Sequence, residues 1–179
     1  MSIELNGKKM YKAIGLIGFS GVGKSSLANM AKERGFNSLD SDLLIAQLEK
    51  KTIGEIFSLN GEDYFREMEC QTVAGMINSD ANFFAFGGGI HYAHKAMKEV
   101  RKKSVAVIFL KEEYSVLATR FFDKEIPLLK IAGENGYRKI YEERQELYLK
   151  SCDFIIEMKS RPLDNILLEI ESLWNLVSI

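Results

Sequence analysis

The chain has 179 residues, of which 46% are hydrophobic and 27% are charged, and its formal net charge is −1. This length and composition are typical of one globular domain with a substantial apolar core and leave little room for a second one. The balanced charge offers no basic field for nucleic acid or an anionic membrane, and no run approaches the roughly 18 apolar residues of a membrane span.

We therefore expect one domain over residues 1–179, in a cytoplasmic monomer whose partners are small molecules or proteins. A polar amino-terminal extension, residues 1–12, comes first and carries no apolar leader segment.

The first predicted elements enclose a phosphate-binding motif. An apolar run at residues 13–17 predicts a buried strand, and apolar spacing in residues 25–32 predicts a helix. Between them, Gly18-x-x-x-x-Gly23-Lys24-Ser25 has the spacing of a phosphate-binding loop, or P-loop. Glycines let the loop amides approach a phosphate chain, and the helix N-terminus adds positive potential. Lysine neutralises the β/γ oxygens, and serine can ligate Mg²⁺. The residues predicted to bind nucleotide phosphates here are Gly21, Val22, Gly23, Lys24, Ser25 and Ser26; a purely structural glycine-rich turn is the alternative.

Two acids follow the second predicted strand, residues 36–39. Asp40 and Asp42 fall at a carboxyl end of the sheet, where open α/β folds carry their working groups. Residues two apart in an extended segment face the same way, so both carboxylates are predicted to reach one cleft. We assign Asp40 to Mg²⁺ and Asp42 to the acceptor hydroxyl, as base or orienter. Alternatively, either acid caps the helix that begins near Leu43.

The rest of the chain continues to alternate helices and strands. Helical spacing at residues 43–57 is followed by a break at Asn60-Gly61 and a helix that carries Arg66. A strand at residues 82–86 ends in Gly87-Gly88-Gly89, which indicates that something approaches the backbone closely. The later predictions are a strand at 104–110, a helix at 113–122, an exposed mobile loop at 123–136, a helix at 137–150, a strand at 154–156 and a last helix near Pro162. This alternation predicts a parallel sheet with helices on both faces.

Arg66 and Arg144 are candidates for binding an acidic substrate. A guanidinium group matches a carboxylate bidentately, and Glu69, three residues after Arg66, is placed to hold it. The alternative is that both arginines form ordinary ion pairs on helix surfaces.

The histidines and cysteines suggest no metal centre. His91 and His94 are predicted to share a helix face, but no further His or Cys has ligand spacing. Cys70 and Cys152 are expected to be reduced core residues.

Taken in order, these pieces resemble the shikimate kinase family. Its landmarks are a P-loop, an Asp-x-Asp, a Phe-Arg-x-x-Glu helix, a Gly-Gly-Gly turn, an Arg-Pro-Leu-Leu lid and an Arg-x-x-x-Tyr helix. This chain has Gly18 to Ser25, Asp40-Ser41-Asp42, Phe65-Arg66-Glu67-Met68-Glu69, Gly87-Gly88-Gly89, Ile126-Pro127-Leu128-Leu129 and Arg144-Gln145-Glu146-Leu147-Tyr148. The resemblance implies a three-layer α/β/α P-loop kinase fold, with a five-stranded parallel sheet in the order 2-3-1-4-5 and a mobile lid at about residues 121–136.

The resemblance also implies an activity, the ATP-dependent phosphorylation of the shikimate 3-hydroxyl on the route to chorismate and aromatic amino acids. ATP is then the co-substrate and Mg²⁺ the cofactor. Lys24 and Asp42 would be catalytic, Ser25 and Asp40 would hold the metal, and Arg120 and Arg161 would lie beside adenine. The acceptor would contact Asp42, Arg66, Gly87, Gly88, Gly89 and Arg144.

One position departs from the family pattern. Ile126 stands where the family has the lid arginine, which reaches the phosphates when the lid closes. Lys124 or Lys130 could substitute, although an ammonium is not a guanidinium. A different hydroxy-acid acceptor and a non-catalytic homologue that only binds ligand therefore remain alternatives.

Overall fold

The computed structural model describes residues 3–5, 8–92, 94–121 and 127–178. A hairpin of β1 (Ile3–Leu5) and β2 (Lys8–Met10) comes first. The elements that follow are β3 (Ala13–Ile17), α1 (Lys24–Glu33), β4 (Ser38–Asp40), α2 (Ser41–Glu49), α3 (Ile53–Ile77), β5 (Phe83–Ala85), α4 (His94–Lys102), β6 (Val105–Lys111), α5 (Tyr114–Phe121), α6 (Pro127–Ser151), β7 (Phe154–Glu157) and α7 (Leu163–Val177).

The main sheet has five parallel strands in the order β4-β5-β3-β6-β7. Counted without the hairpin, this is the predicted order 2-3-1-4-5, and the prediction is confirmed. β3 is buried along its whole length, and β6 is buried except at Lys111. Such continuous apolar strands are stable only when helices cover both faces of a sheet. The P-loop follows the central strand, so it lies in the middle of the carboxyl edge.

The predicted break at Asn60-Gly61 is a kink inside α3. Gly61 has φ 82° and ψ 176°, which only glycine adopts without strain. A capping box at Thr52 and Glu55 fixes the start of the same helix. The predicted break is therefore confirmed as a kink between two helical segments of α3, and the second segment carries Arg66.

The region predicted as a loop at residues 123–136 is helical from Pro127 onward. Proline is compatible with a first helical turn, and Gly133 (φ 66°, ψ 175°) only bends α6. Reading proline and glycine as loop signals was therefore wrong for residues 127–136. Ile126 and the three residues before it lie outside the described residues, and the mobility of the lid stays a prediction.

The end of the amino-terminal extension is tied into the fold. Tyr11 is 3% exposed, and its N–H donates to the carbonyl of Val177 at 2.9 Å. The N–H of Lys12 donates to the carbonyl of Ser104 at 2.8 Å. Among the described residues, none of the helices has the length and apolar character to cross a membrane.

Candidate active site

Glycines set the shape of the P-loop. Gly18, Gly21 and Gly23 have φ values of 148°, 79° and 108°, a region that other residues rarely adopt. A Cβ at Gly18 would also lie 2.7 Å from the carbonyl oxygen of Leu110. Gly23 is the N-cap residue of α1, so the first N–H groups of that helix open into the loop. This geometry is suited to an anion, as the sequence predicts, and phosphate binding by these residues stays a prediction.

Lys24 begins α1 and is 9% exposed. Its Nζ donates to the carbonyl oxygens of Gly18 at 2.7 Å and Phe19 at 3.1 Å. Burial lowers the pKa of the ammonium to about 8, although the negative charges of Asp42 and Asp40 act in the opposite direction by stabilising the charged form. Since the two hydrogen bonds go to neutral carbonyls, the charge of Lys24 stays available to a bound anion.

Asp40 and Asp42 line the same pocket as the P-loop, which has a volume of about 230 Å³. Asp40 ends β4, but Asp42 lies in the first turn of α2. Asp40 caps that helix, because its Oδ1 accepts from the N–H groups of Asp42 and Leu43 at 2.9 and 3.1 Å. The predicted alternation of an extended segment was therefore wrong. The carboxylates share a pocket because the chain turns from strand to helix between them.

Asp42 is the carboxyl group of the site with a strongly shifted proton affinity. Loss of hydration in the cleft, and then the charge of Asp40, raise its pKa to about 7, although Lys24 opposes the shift. A carboxylate with this pKa is partly ionised near neutral pH and can still hold a transferred proton, which is the requirement for a general base.

Arg144 is buried, which is not the environment of an ordinary surface ion pair, whereas Arg66 is partly buried and does pair with acids of its own helix. The side chain of Arg66 is 13% exposed and donates through Nη1 to Oε2 of Glu69 at 2.8 Å, as predicted. Its Nη2 donates to Glu62 at 2.9 Å. Arg144 is 2% exposed, and its Nε has no hydrogen-bond partner among the described residues. An incompletely paired buried guanidinium is costly, so the arrangement favours an anion as the missing partner.

Side chains of the cavity pack directly against the glycine turn, and at Gly87 and Gly89 they leave no room for a Cβ. A Cβ on Gly87 would lie 2.6 Å from both Oδ1 of Asp42 and Oε1 of Glu69. A Cβ on Gly89 would lie 2.6 Å from Nη2 of Arg66, and one on Gly88 would lie 3.5 Å from Nη1 of Arg144.

Two hydrogen bonds hold this glycine turn in place. The hydroxyl of Ser41 accepts from the N–H of Gly87 at 2.8 Å, and the hydroxyl of Tyr148 donates to the carbonyl of Gly88 at 2.5 Å. Tyr148 is the tyrosine of the Arg-x-x-x-Tyr helix, so that motif serves the turn as well as Arg144.

The two arginines line a second, smaller cavity of about 80 Å³, and Ile53, Phe57 and Phe65 of α3 form its apolar side. Ser20, Asp42 and Gly88 line this cavity and also the phosphate pocket. The acceptor side and the phosphate side of the predicted site therefore meet at Asp42.

The arginines predicted beside adenine have different surroundings. Nη1 of Arg120 donates to the carbonyl of Gly21 at 3.1 Å, so Arg120 adjoins the P-loop. Nη1 of Arg161 donates to Glu169 of α7 at 2.8 Å. Contact of either arginine with adenine stays a prediction.

Two residues of this region were missed in the sequence. Ser20 occupies a variable position of the P-loop motif yet lines both cavities. Glu112 is 5% exposed, accepts from the N–H of Ser160 at 3.0 Å and lies 3.9 Å from Nη2 of Arg120. An acid directly after the apolar strand β6 was the signal that could have found Glu112.

His91 lies in the turn before α4, so the prediction that it shares a helix face with His94 was wrong. The His91 ring packs 4.6 Å from that of Tyr148. In the part of the chain that the structure describes, no three His, Cys, Asp or Glu side chains are grouped as metal ligands. Cys70 and Cys152 are free thiols, half-buried against the core.

A P-loop on the central strand of this sheet, beside a cavity that holds a carboxylate and two guanidinium groups, defines the class of P-loop kinases that act on small molecules. A family model described as shikimate kinase matches residues 20–174. Shikimate kinase from Clostridium botulinum strain Eklund 17B is 34% identical over 92% of this chain and 98% of its own length. The enzyme from Chloroherpeton thalassium is 38% identical over 72% of this chain and 68% of its own.

A solved structure gives the same result. Shikimate kinase from Acinetobacter baumannii in complex with shikimate matches with a TM-score of 0.82, at 27% identity, over 91% of this chain and 92% of that one. The chain belongs to the shikimate kinase family, and the resemblance drawn from the motifs is confirmed.

Proposed function

We propose that this protein transfers the γ-phosphoryl group of ATP to the 3-hydroxyl of shikimate. Its family membership supports the activity, and the site supports the chemistry. The observation that carries the proposal is the position of Asp42, which lines both the P-loop pocket with Lys24 and the cavity with Arg66 and Arg144. If the arginines hold the carboxylate of the acceptor, the acceptor's hydroxyl groups lie near Asp42, between the arginines and the phosphates.

The proposed reaction assigns one task to each group. Arg66 and Arg144 bind the shikimate carboxylate, and the charge of this anion completes the pairing of Arg144. Asp42 accepts the proton of the hydroxyl as its oxygen attacks the γ-phosphorus, and the bond from that phosphorus to the β–γ bridging oxygen breaks. ADP leaves with the electron pair of that bond. Lys24 stabilises the negative charge on the β/γ oxygens.

Mg²⁺ fits the same pocket. The hydroxyl of Ser25 and the carboxylate of Asp40 both line it, and oxygen ligands of this kind are the ones that Mg²⁺ prefers. Asp40 caps α2 through Oδ1, which leaves Oδ2 to a cation. Ser25 and Asp40 would hold the ion, which when bound with ATP neutralises charge on the phosphate oxygens.

The direct test is ADP release by the purified protein with ATP, Mg²⁺ and shikimate. We expect saturable ADP formation that depends on shikimate, lost in Lys24→Met and kept in Lys32→Met, an exposed lysine of the same helix. Folded protein that forms no shikimate-dependent ADP would refute the proposal. A panel of other hydroxy acids, including gluconate, identifies a different acceptor.

Ile126 supports a second candidate, a homologue that binds ligand without turnover. Arginine fingers, which stabilise a transferring phosphoryl group in GTPases, are worth about 10³ to 10⁵ in rate. This candidate predicts saturable shikimate binding by calorimetry without ADP formation, and a gain of activity in Ile126→Arg. Brisk turnover by the unaltered protein would exclude it.

A further inference from the structure

Tyr92 lies beside the acceptor cavity but belongs to none of the motifs that identify the family. It follows the glycine turn, and its N–H donates to the carbonyl of Gly89 at 2.9 Å. This bond fixes the backbone from which the side chain projects. The residue is 40% exposed, so its ring is not part of the core. Neither the core nor the proposed chemical step accounts for an aromatic ring here.

The ring lies against both arginines of the acceptor cavity. Its centroid is 5.4 Å from Cζ of Arg66 and 5.2 Å from Cζ of Arg144. A cation within about 6 Å of an aromatic centroid is attracted by the negative face of the ring. Like charges on two sides of one ring repel each other, and the attraction of each to the ring offsets part of that repulsion.

Other aromatic side chains contact only one of the two arginines. Phe65 lies 5.3 Å from Cζ of Arg66, and Phe19 lies 5.6 Å from Cζ of Arg144. Among the described residues, Tyr92 is the one ring within 6 Å of both guanidinium groups. It therefore connects the two guanidinium groups through a single aromatic side chain.

The contribution of the ring differs for the two arginines. Arg66 is also fixed by ion pairs with Glu62 and Glu69. Arg144 keeps an unpartnered Nε, and the rings of Tyr92 and Phe19 pack against its guanidinium, so aromatic packing contributes to its orientation together with the hydroxyl of Tyr148. Bidentate recognition of a carboxylate depends on the angle of the guanidinium plane as well as on its charge.

We propose that Tyr92 is a positioning residue that holds Arg66 and Arg144 as one carboxylate-binding fork and thereby sets the affinity for the acidic acceptor. This inference rests on the proposed function, because it assumes that the two arginines bind the shikimate carboxylate. It adds an aromatic determinant of acceptor affinity that acts through the arginines rather than on the reacting atoms.

The test compares Tyr92→Leu and Tyr92→Phe with the unaltered protein. Loss of two cation–π contacts predicts a rise of roughly 5- to 30-fold in the shikimate KM of Tyr92→Leu. The kcat and the KM for ATP should stay within about twofold, since the contact acts on acceptor binding alone. Tyr92→Phe keeps the ring and should restore the shikimate KM. A general loss of structure would alter all of these parameters together.

Tyr114→Leu is the matched control. Tyr114 also packs on an arginine, with its centroid 5.6 Å from Cζ of Arg138, but that arginine does not line the acceptor cavity. The shikimate KM of Tyr114→Leu should be unchanged. The inference is overturned if Tyr92→Leu keeps the original shikimate KM, or if Tyr92→Phe raises the shikimate KM as much as Tyr92→Leu does. It is also overturned if the KM of Tyr92→Leu for ATP rises as much as its KM for shikimate. Absence of shikimate turnover in the unaltered protein instead refutes the proposed function.

Discussion

Replacing Asp42 with asparagine should make the protein less active and more stable. The carboxyl pKa of Asp42 rises from 3.8 to about 7 on folding. The folded state therefore holds this proton more tightly than the unfolded chain does. As the pH increases from about 4 to about 7, ionisation of Asp42 destabilises the folded protein, and the effect is constant above that range.

The size of the effect follows from the shift. One pKa unit corresponds to about 1.4 kcal/mol, so a shift from 3.8 to about 7 gives a ceiling of about 4 kcal/mol. The side chain is half-buried rather than enclosed, and solvent screening reduces the ceiling. We expect Asp42→Asn to raise the free energy of unfolding by about 2 kcal/mol at alkaline pH. Loss of the proposed base should lower kcat by about 10² to 10⁴.

Urea unfolding of both proteins at about pH 4.5 and about pH 8 isolates this group, because the other titrating residues are common to both. The increase in the free energy of unfolding caused by Asp42→Asn should be small at the lower pH and should reach its maximum at the higher pH. Asp80→Asn, which removes an exposed carboxylate, is the control and should change stability little at either pH. A gain that is independent of pH, or a more stable unaltered protein at about pH 8, would refute the reasoning.

Further predictions concern the other groups of the site. Lys24→Met should lower kcat by at least about 10³ with no loss of thermal stability, because a buried charge is removed; unfolding of the variant, or retained activity, contradicts this. Arg144→Ala should raise the shikimate KM by roughly 30-fold or more, measured against an unchanged KM for ATP. Gly89→Ala should weaken shikimate binding in calorimetry, because its Cβ displaces the Arg66 guanidinium. The acid limb of kcat/KM should titrate near pH 7, with activity rising as Asp42 ionises; a flat profile between about pH 5 and 8 would argue against Asp42 as the base.

Much of the fold could be predicted because its signals are local. The apolar runs of β3 and β6 and the Gly18 to Ser25 spacing are each contained in a few consecutive residues. The order of the motifs along the chain carried the family resemblance, and the resemblance implied the order of the strands in the sheet. The structure confirms this order. Prediction failed at residues 127–136, since proline and glycine are compatible both with a loop and with a bent helix.

The site was predictable by residue type but not by geometry. The structure brings Asp42, Arg66 and Arg144 to one cavity, and their roles stay predictions. The sequence left open which acid caps the second helix, and the turn from strand to helix makes it Asp40. The shared aromatic contact of Tyr92 had no sequence signal, because Arg66 and Arg144 come to the same ring from distant helices.

The sequence by itself determined the P-loop, the parallel sheet and the supply of acidic and basic groups, since spacing and hydrophobic periodicity are properties of neighbouring residues. Tertiary structure alone decided that Asp42 borders both cavities, that its pKa lies near 7 and that one ring joins the two arginines. Desolvation, charge coupling and ring contacts depend on distances in space between groups far apart in the chain. Those distances exist only after the sheet and its helices have packed.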